Sequence, residues 1–329
     1  MKQYMIKELQ SLVNNDIANR SSALTTMKPA MLYEPVSYSL KMGGKRLRPI
    51  LLLMSYNMFS DNINQVLPAA VSVEVFHNFT LLHDDIMDKS EIRRNAPAVF
   101  VKFGENNAIL SGDAMAFLSY RILNECLSDR ISDVINLFTS TAIEVCEGQQ
   151  YDMDFEDCLD ISESDYLEMI RLKTAVLLGY CLKSGAMLGN ADAEICDRLF
   201  LLGINLGLAF QLQDDLLDTY GSQELLGKKI GNDIAGNKKT YLLVKAFEKA
   251  GGDIKSELSG WLSSGREKEE EKIKAVIDIY NKLSVKSITE NKIQHYFNNV
   301  FSTLEDLPLD KNLTVQLKRL ISGMQERKY

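Results

Sequence analysis

The chain has 329 residues, 46% of them hydrophobic, with a formal net charge of −8 and five cysteines. That is enough apolar material for a large buried core, and the acidic balance argues against nucleic-acid binding, which needs a positive field. The cysteines (Cys126, Cys146, Cys158, Cys181, Cys196) are odd in number and lack CxxC spacing, so they read as reduced thiols of a cytoplasmic protein and not as a zinc site.

The N-terminus, MKQYMIKELQ, starts an amphipathic helix and has no signal-peptide core. Residues 1–40 are expected to form one or two leading helices. GGKRLRP at 43–49 is a loop or a helix start, with two glycines and a closing proline. Residues 63–88 are expected to form a long apolar helix ending in LLHDDIMD at 81–88. Helices then alternate with short polar breaks to about residue 220, with apolar residues at helical spacing, as in Leu167-Ile170-Leu172-Leu177 and Ile195-Leu199-Leu202-Leu206. QLQDDLLD occupies 211–218. Segment 221–240, rich in glycine and lysine, reads as a loop leading into another helix, and 251–271 is the most linker-like stretch. No run alternates as a strand would. The longest uncharged stretch, Leu199 to Gln213, is too short and too dotted with Asn and Gln to span a bilayer. The expectation is an all-α protein, a single domain over 1–329, with no transmembrane segment.

The two DDxxD stretches need explaining, because aspartate is a poor helix former and crowded carboxylates repel. Residues three or four apart share a helical face, so Asp84 and Asp85 lie with Asp88, and Asp214 and Asp215 with Asp218 and Gln211. Two such faces looking at each other would make a negative cavity suited to hard divalent cations. Mg²⁺ fits best, since it is usually held by one or two carboxylates plus substrate phosphates. A diphosphate ligand should leave a basic signature too. Candidates are Lys45, Arg46 and Arg48, Arg93 and Arg94, Lys173, and Lys228, Lys229, Lys238 and Lys239. His77, seven residues before Asp84, falls on about the same face. A solvated acidic face is the bland alternative; its repetition behind apolar runs, with basic clusters nearby, speaks against that.

With GGKRLRP at 43–49, HNFTLLHDDIMD at 77–88 followed by Arg93-Arg94, GD at 112–113, GQQYD at 148–152, KT at 173–174, FQLQDDLLD at 210–218 and KKIGNDIAGNKKT at 228–240, the chain resembles the trans-isoprenyl diphosphate synthases of the polyprenyl synthetase family over nearly its full length. The resemblance implies a bundle of about ten or more helices around a central cavity, usually in a homodimer, with about three Mg²⁺ ions per active site. It implies condensation of isopentenyl diphosphate with the allylic dimethylallyl, geranyl or farnesyl diphosphate. By the same resemblance Asp84, Asp88 and Asp214 would bind metal, supported by Asp85, Asp215 and Asp218. Arg93, Lys173, Lys229 and Lys238 would hold the allylic diphosphate. Lys45, Arg48, His77 and Arg94 would hold isopentenyl diphosphate, and Thr174 and Gln211 would face the developing carbocation. The stretch Arg94-Asn95-Ala96-Pro97-Ala98 lacks the family's usual glycine and threonine, and Phe100 stands where a histidine is common.

A growing tail would run from the Asp84 region past residues four and five positions earlier, about 6–7.5 Å along the helix axis. These are Thr80 and Phe79, one small and one bulky. In the family an aromatic residue here goes with short products. The expected product is C20 geranylgeranyl diphosphate, with C15 farnesyl diphosphate next. Two rivals are a class I terpene cyclase and a non-catalytic, synthase-like regulatory subunit. The second DDxxD and the GGKRLRP stretch speak against the first, and the intact site residues against the second.

Overall fold

The computed structural model describes residues 2–156, 158, 160–221 and 230–326, and helices make up nearly all of its regular structure. The chain divides into two units. One comprises the chain up to Phe138 with Tyr180–Leu199 and Pro308–Leu317; the other comprises Thr139–Gly179, Phe200–Leu307 and the chain from Lys318.

The first unit is built on α1 (Ile6–Leu24), α2 (Ala30–Lys41), α3 (Leu47–Asn57), α4 (Leu67–Met87), the short α5 (Val99–Phe103) and α6 (Glu105–Leu123). The leading residues thus form two helices, and GGKRLRP is a loop that becomes helix at Leu47. Pro68 sits in the first turn of α4, where its missing N–H costs nothing. From Ala69 to Phe76 every residue of α4 is buried, so this half of the helix is core on all sides. Phe76 packs on Phe138, which also meets Tyr120 and Tyr180, with ring centroids 4.8–5.1 Å apart. Helix α4 ends at Asp88, and Lys89 takes a left-handed φ of 53° that turns the chain away. Among the described residues the only strands are β1 (Ile92–Arg93) and β2 (Ala96–Pro97). They form a hairpin whose two turn residues, Arg94 and Asn95, both have positive φ (52° and 62°). A two-residue hairpin turn demands that conformation, and asparagine tolerates it.

Helices α7 (Ile131–Glu156), α9 (Val176–Leu188), α10 (Ala193–Tyr220) and α16 (Lys311–Gln325) contribute residues to both units. The second unit adds α8 (Glu163–Ile170), α11 (Asn232–Ala235), α12 (Tyr241–Lys249), α13 (Gly252–Leu262), α14 (Glu269–Lys282) and α15 (Val285–Glu305). Its core includes Leu212, Leu216, Val276, Ile279 and Phe297, all fully buried. Segment 251–271, expected to be linker-like, is largely helical: Leu258 is fully buried and anchors α13. Between α8 and α9, Arg171–Ala175 forms a π-helical turn, which periodicity does not foresee. Helix α10 is long and apolar enough to cross a membrane, but 61% of its most apolar window is buried inside the protein, as in a core helix.

Candidate active site

In the first unit the acidic cluster sits at the C-terminal end of α4. Asp85 is buried and accepts hydrogen bonds from Arg93, from Nε at 2.9 Å and from Nη2. Asp84 is half-buried and Asp88 exposed, and the Asp88 N–H donates to the Asp84 carbonyl at 2.8 Å, so the two still stand one helical turn apart. The middle aspartate is therefore turned into the protein while its neighbours look outward.

Beside this cluster lies a nest of arginines. Arg48 Nη1 is 2.9 Å from Nε2 of His77. Arginine can only donate, so this nitrogen of His77 accepts and its proton sits on Nδ1. Burial, then Arg48, Arg94, Arg93 and Arg46 in turn, hold the His77 pKa well below the usual histidine value. Four guanidinium groups thus act on one neutral imidazole. Arg94 Nη1 donates to the Gly43 carbonyl, which ties the hairpin to the GGKRLRP loop. Gly44, at φ +136°, lies against the Arg94 guanidinium, and a Cβ there would come within 2.9–3.2 Å of it.

Arg46 belongs elsewhere. Its Nη1 donates to Glu74 Oε1 at 2.6 Å, both side chains being about 3% exposed, and its other nitrogens bond Asn14 and the Leu40 carbonyl. It is a buried structural ion pair inside the GGKRLRP motif. Lys45 is exposed on the same loop. Phe79 is half-buried, its ring 5.4 Å from Phe76 and 4.9 Å from His83, and Thr80 Oγ1 donates to the His77 carbonyl at 2.9 Å.

In the second unit α10 carries Gln211, Asp214, Asp215 and Asp218. Again the middle aspartate is the buried one. Asp215 Oδ2 accepts from the Tyr166 hydroxyl and from the Tyr241 N–H at 3.1 Å, and its Oδ1 from Gln211 Nε2 at 3.2 Å. Burial and nearby Asp233 push its pKa up to about 7, against the opposing pull of Tyr166, Lys238 and Tyr241. Asp218 Oδ2 accepts from the Asp233 N–H at 2.9 Å. Thr174 Oγ1 donates to Gln211 Oε1 at 3.1 Å, and Lys173 Nζ lies 2.5 Å from Asp152 Oδ2. Both Lys173 and Thr174 sit on the π turn, and a Cβ at Gly148 would collide with the Lys173 backbone there. The glycine of GQQYD is what lets α7 approach that turn, and Asp152 of the same motif steers Lys173. Lys238 is exposed after α11, and Lys228 and Lys229 lie outside the described residues.

Sequence reasoning gave no role to Tyr166, Tyr241, Asp152 or Glu74. Asp152 stood inside GQQYD and could have been found as a partner for a nearby lysine. The others are paired by the fold across 26 to 78 residues or more of chain, as in Tyr166–Asp215, Tyr241–Asp215 and Tyr241–Glu163, and carry no local signal.

The donor set suits a hard cation, since both clusters offer carboxylate oxygens only. Among the described residues no three His, Cys, Asp or Glu side chains gather into a ready-made metal cage.

An all-α chain with two aspartate clusters and an adjoining arginine nest has the parts of a prenyltransferase. Comparison with known proteins agrees. The polyprenyl synthetase model matches residues 29–280. The chain is 38% identical over 324 residues to a geranylgeranyl diphosphate synthase of Methanosarcina mazei, covering 94% of this chain and 97% of the relative. It is 40% identical over 253 residues to a short chain isoprenyl diphosphate synthase of Methanocaldococcus jannaschii, covering 77% of each. A crystal structure of a geranylgeranyl pyrophosphate synthase superposes with a TM-score of 0.93 at 40% identity, covering 99% of this chain and 100% of that one. The chain belongs to the polyprenyl synthetase family. Prenyl diphosphate substrates and a divalent-metal requirement are general properties of that family.

Proposed function

We propose that the chain is an Mg²⁺-dependent synthase of geranylgeranyl diphosphate, acting as one domain over residues 1–329 in a cytoplasmic homodimer. It adds isopentenyl diphosphate head-to-tail to dimethylallyl, geranyl or farnesyl diphosphate. The observation that carries this reading is the Arg48–His77 contact beside the Asp84–Asp88 cluster. It supports an anion site next to a metal site, which two-substrate condensation needs and a terpene cyclase does not. The names of the relatives support the product class.

Asp84, Asp88 and Asp214 hold the metal ions in this reading, and the metal when bound supplies neutralisation of the charge that builds on the departing diphosphate. Lys173, Lys229, Lys238 and Arg93 bind the same diphosphate as point charges and a fork. Lys45, Arg48 and Arg94 bind isopentenyl diphosphate, and neutral His77 orients Arg48. The Thr174 hydroxyl spends its proton on Gln211, so its oxygen lone pairs remain for the allylic cation. Leucines before each cluster keep water from quenching that cation. The proton lost on closure of the double bond goes to the released diphosphate.

The homodimer is supported by α6, where Leu110 and Phe117 are 59% and 77% exposed, flanked by Glu105 and Arg121. In an antiparallel pairing, Leu110 would meet the second copy's aromatic ring and the acidic end would meet the basic one.

Purified protein given isopentenyl and allylic diphosphates tests the reading. Turnover should vanish in chelator and return with Mg²⁺, and Asp84→Ala and Asp214→Ala should each lower it by several orders of magnitude. Near-normal activity in either variant, or in chelator, would overturn it.

A further inference from the structure

Tyr166 is fully buried on α8, one turn after Glu163, and its hydroxyl donates to Asp215. The same Asp215 oxygen takes the N–H of Tyr241, the first residue of α12, so the positive end of that helix points at it. The other oxygen takes Gln211 Nε2. Asp215, 2% exposed, thus spends its lone pairs on protein donors. The far end of Tyr241 closes a circuit: its hydroxyl donates to Glu163 Oε1 at 3.0 Å. Glu163 is itself gripped by Lys245 and Lys292, each at 2.8 Å. The Tyr166 and Tyr241 rings pack 6.1 Å apart inside that circuit. Asp215, Tyr166, Glu163 and Tyr241 therefore form a circuit linking α8, α10 and α12, closed between Glu163 and Tyr166 by the α8 backbone.

We propose that Tyr166 is a positioning residue for the second aspartate cluster: by holding the Asp215 carboxylate, it fixes the rotation of α10 and so the direction in which Asp214 and Asp218 present their oxygens to metal. The inference rests on the metal role proposed above for Asp214. Asp214 and Asp218 are the immediate neighbour of Asp215 and the residue one turn beyond that neighbour, so any rolling of the helix moves both. Metal affinity is sensitive to what orients its ligands; loss of such a partner typically costs about 10- to 100-fold. The arrangement is repeated in the first cluster, where Arg93 holds Asp85, but there the holder is a charged side chain on a hairpin, and in the second it is a neutral phenol locked in the core.

Tyr166→Phe removes the hydroxyl and keeps the ring. The test is Mn²⁺ binding in the presence of inorganic diphosphate, followed by electron paramagnetic resonance, in the full chain. Wild type should bind, and Asp214→Asn should lose the sites of the second cluster. Tyr166→Phe should weaken those sites about tenfold. Combined with Asp214→Asn it should add nothing; combined with Asp84→Asn it should add its full effect. In kinetics it should raise the Mg²⁺ activation constant and leave the KM for isopentenyl diphosphate unchanged. Glu163→Gln, which loosens the ring on the side away from Asp215, should weaken binding in the same direction but less than Tyr166→Phe, and stands in if Tyr166→Phe fails to fold. Folded Tyr166→Phe, or failing that Glu163→Gln, with wild-type Mn²⁺ binding would overturn the proposal. Absence of binding by wild type, or unchanged binding in Asp214→Asn, would instead overturn the metal role of the cluster, and this inference with it.

Discussion

Arg48 and His77, which come from separate motifs, meet at 2.9 Å, the guanidinium donating to the imidazole Nε2. Burial and four arginines depress the His77 pKa well below 6.5. In the unfolded chain His77 takes up a proton near pH 6.5; in the folded one it does so only at lower pH. Below about pH 6.5 the unfolded state then binds more protons, and stability falls as pH falls, by at most about 1.4 kcal/mol per pH unit for one proton. Urea melts from pH 7.5 to 5 should show this slope, and His77→Gln should flatten it. A His77 ring resonance that titrates near 6.5 would contradict the neutral assignment.

Gly44→Ala should act on substrate binding through Arg94. The new Cβ would come within 2.9–3.2 Å of the Arg94 guanidinium, at a φ of +136° that also strains any side chain. Gly43→Ala is the control: φ is +80° but the space is open. Both should lose about 1 kcal/mol of stability, but only Gly44→Ala should raise the KM for isopentenyl diphosphate, by roughly tenfold or about 1.4 kcal/mol, with a smaller change for the allylic substrate. Equal effects of the two variants on KM would show that Arg94 does not bind this substrate.

Phe79→Ala should lengthen the product by one or more five-carbon units. The ring stands between Phe76 and His83, five residues before Asp84, and its removal leaves the carboxylates untouched. The half-buried ring should cost less stability than the ~3–5 kcal/mol of a fully buried Phe→Ala. Thr80→Phe should shorten the product. Chromatographic sizing of the dephosphorylated alcohols checks both; an unchanged distribution from folded Phe79→Ala would place the floor elsewhere.

Glu163 should be an acid-sensitive tie in the second unit. Burial alone would raise its pKa, but hydrogen bonds from Lys245, Lys292 and Tyr241 overcome this and bring it from 4.5 to about 2. The folded-state value lies below the unfolded one, so the stabilisation is present above about pH 4.5 and is lost as pH falls toward 2, on the order of 2–3 kcal/mol in all. Glu163→Gln should be less stable than wild type at pH 7 and converge with it near pH 2. Parallel stability curves for the two would contradict the assignment.

The helical frame and the two acidic faces were legible because both rest on local spacing. The long apolar run before Asp84 could only be a buried helix, and the structure sets it at Leu67–Met87, against an expected 63–88. What escaped was tertiary. GGKRLRP reads as one basic patch, yet Arg46 turns inward to Glu74, 28 residues away, and only Lys45 and Arg48 remain outside that pair. The polar stretch after Gly251 looks like a linker by composition, but the single buried Leu258 is enough to dock it as a helix. The π turn at Arg171–Ala175 depends on Gly148 of another helix, and the buried middle aspartates depend on Arg93 and Tyr166. Sequence placed six carboxylates on two faces; which of each three turns inward was decided by partners that local spacing does not show.

The most direct test of the account is to give the purified chain farnesyl diphosphate and excess isopentenyl diphosphate with Mg²⁺, and to size the product. One condensation and release of all-trans C20 geranylgeranyl diphosphate is expected, with dimethylallyl and geranyl diphosphate converging on the same product. Release of a cyclised hydrocarbon, accumulation of chains of C30 or longer, or no condensation with any allylic starter would contradict it.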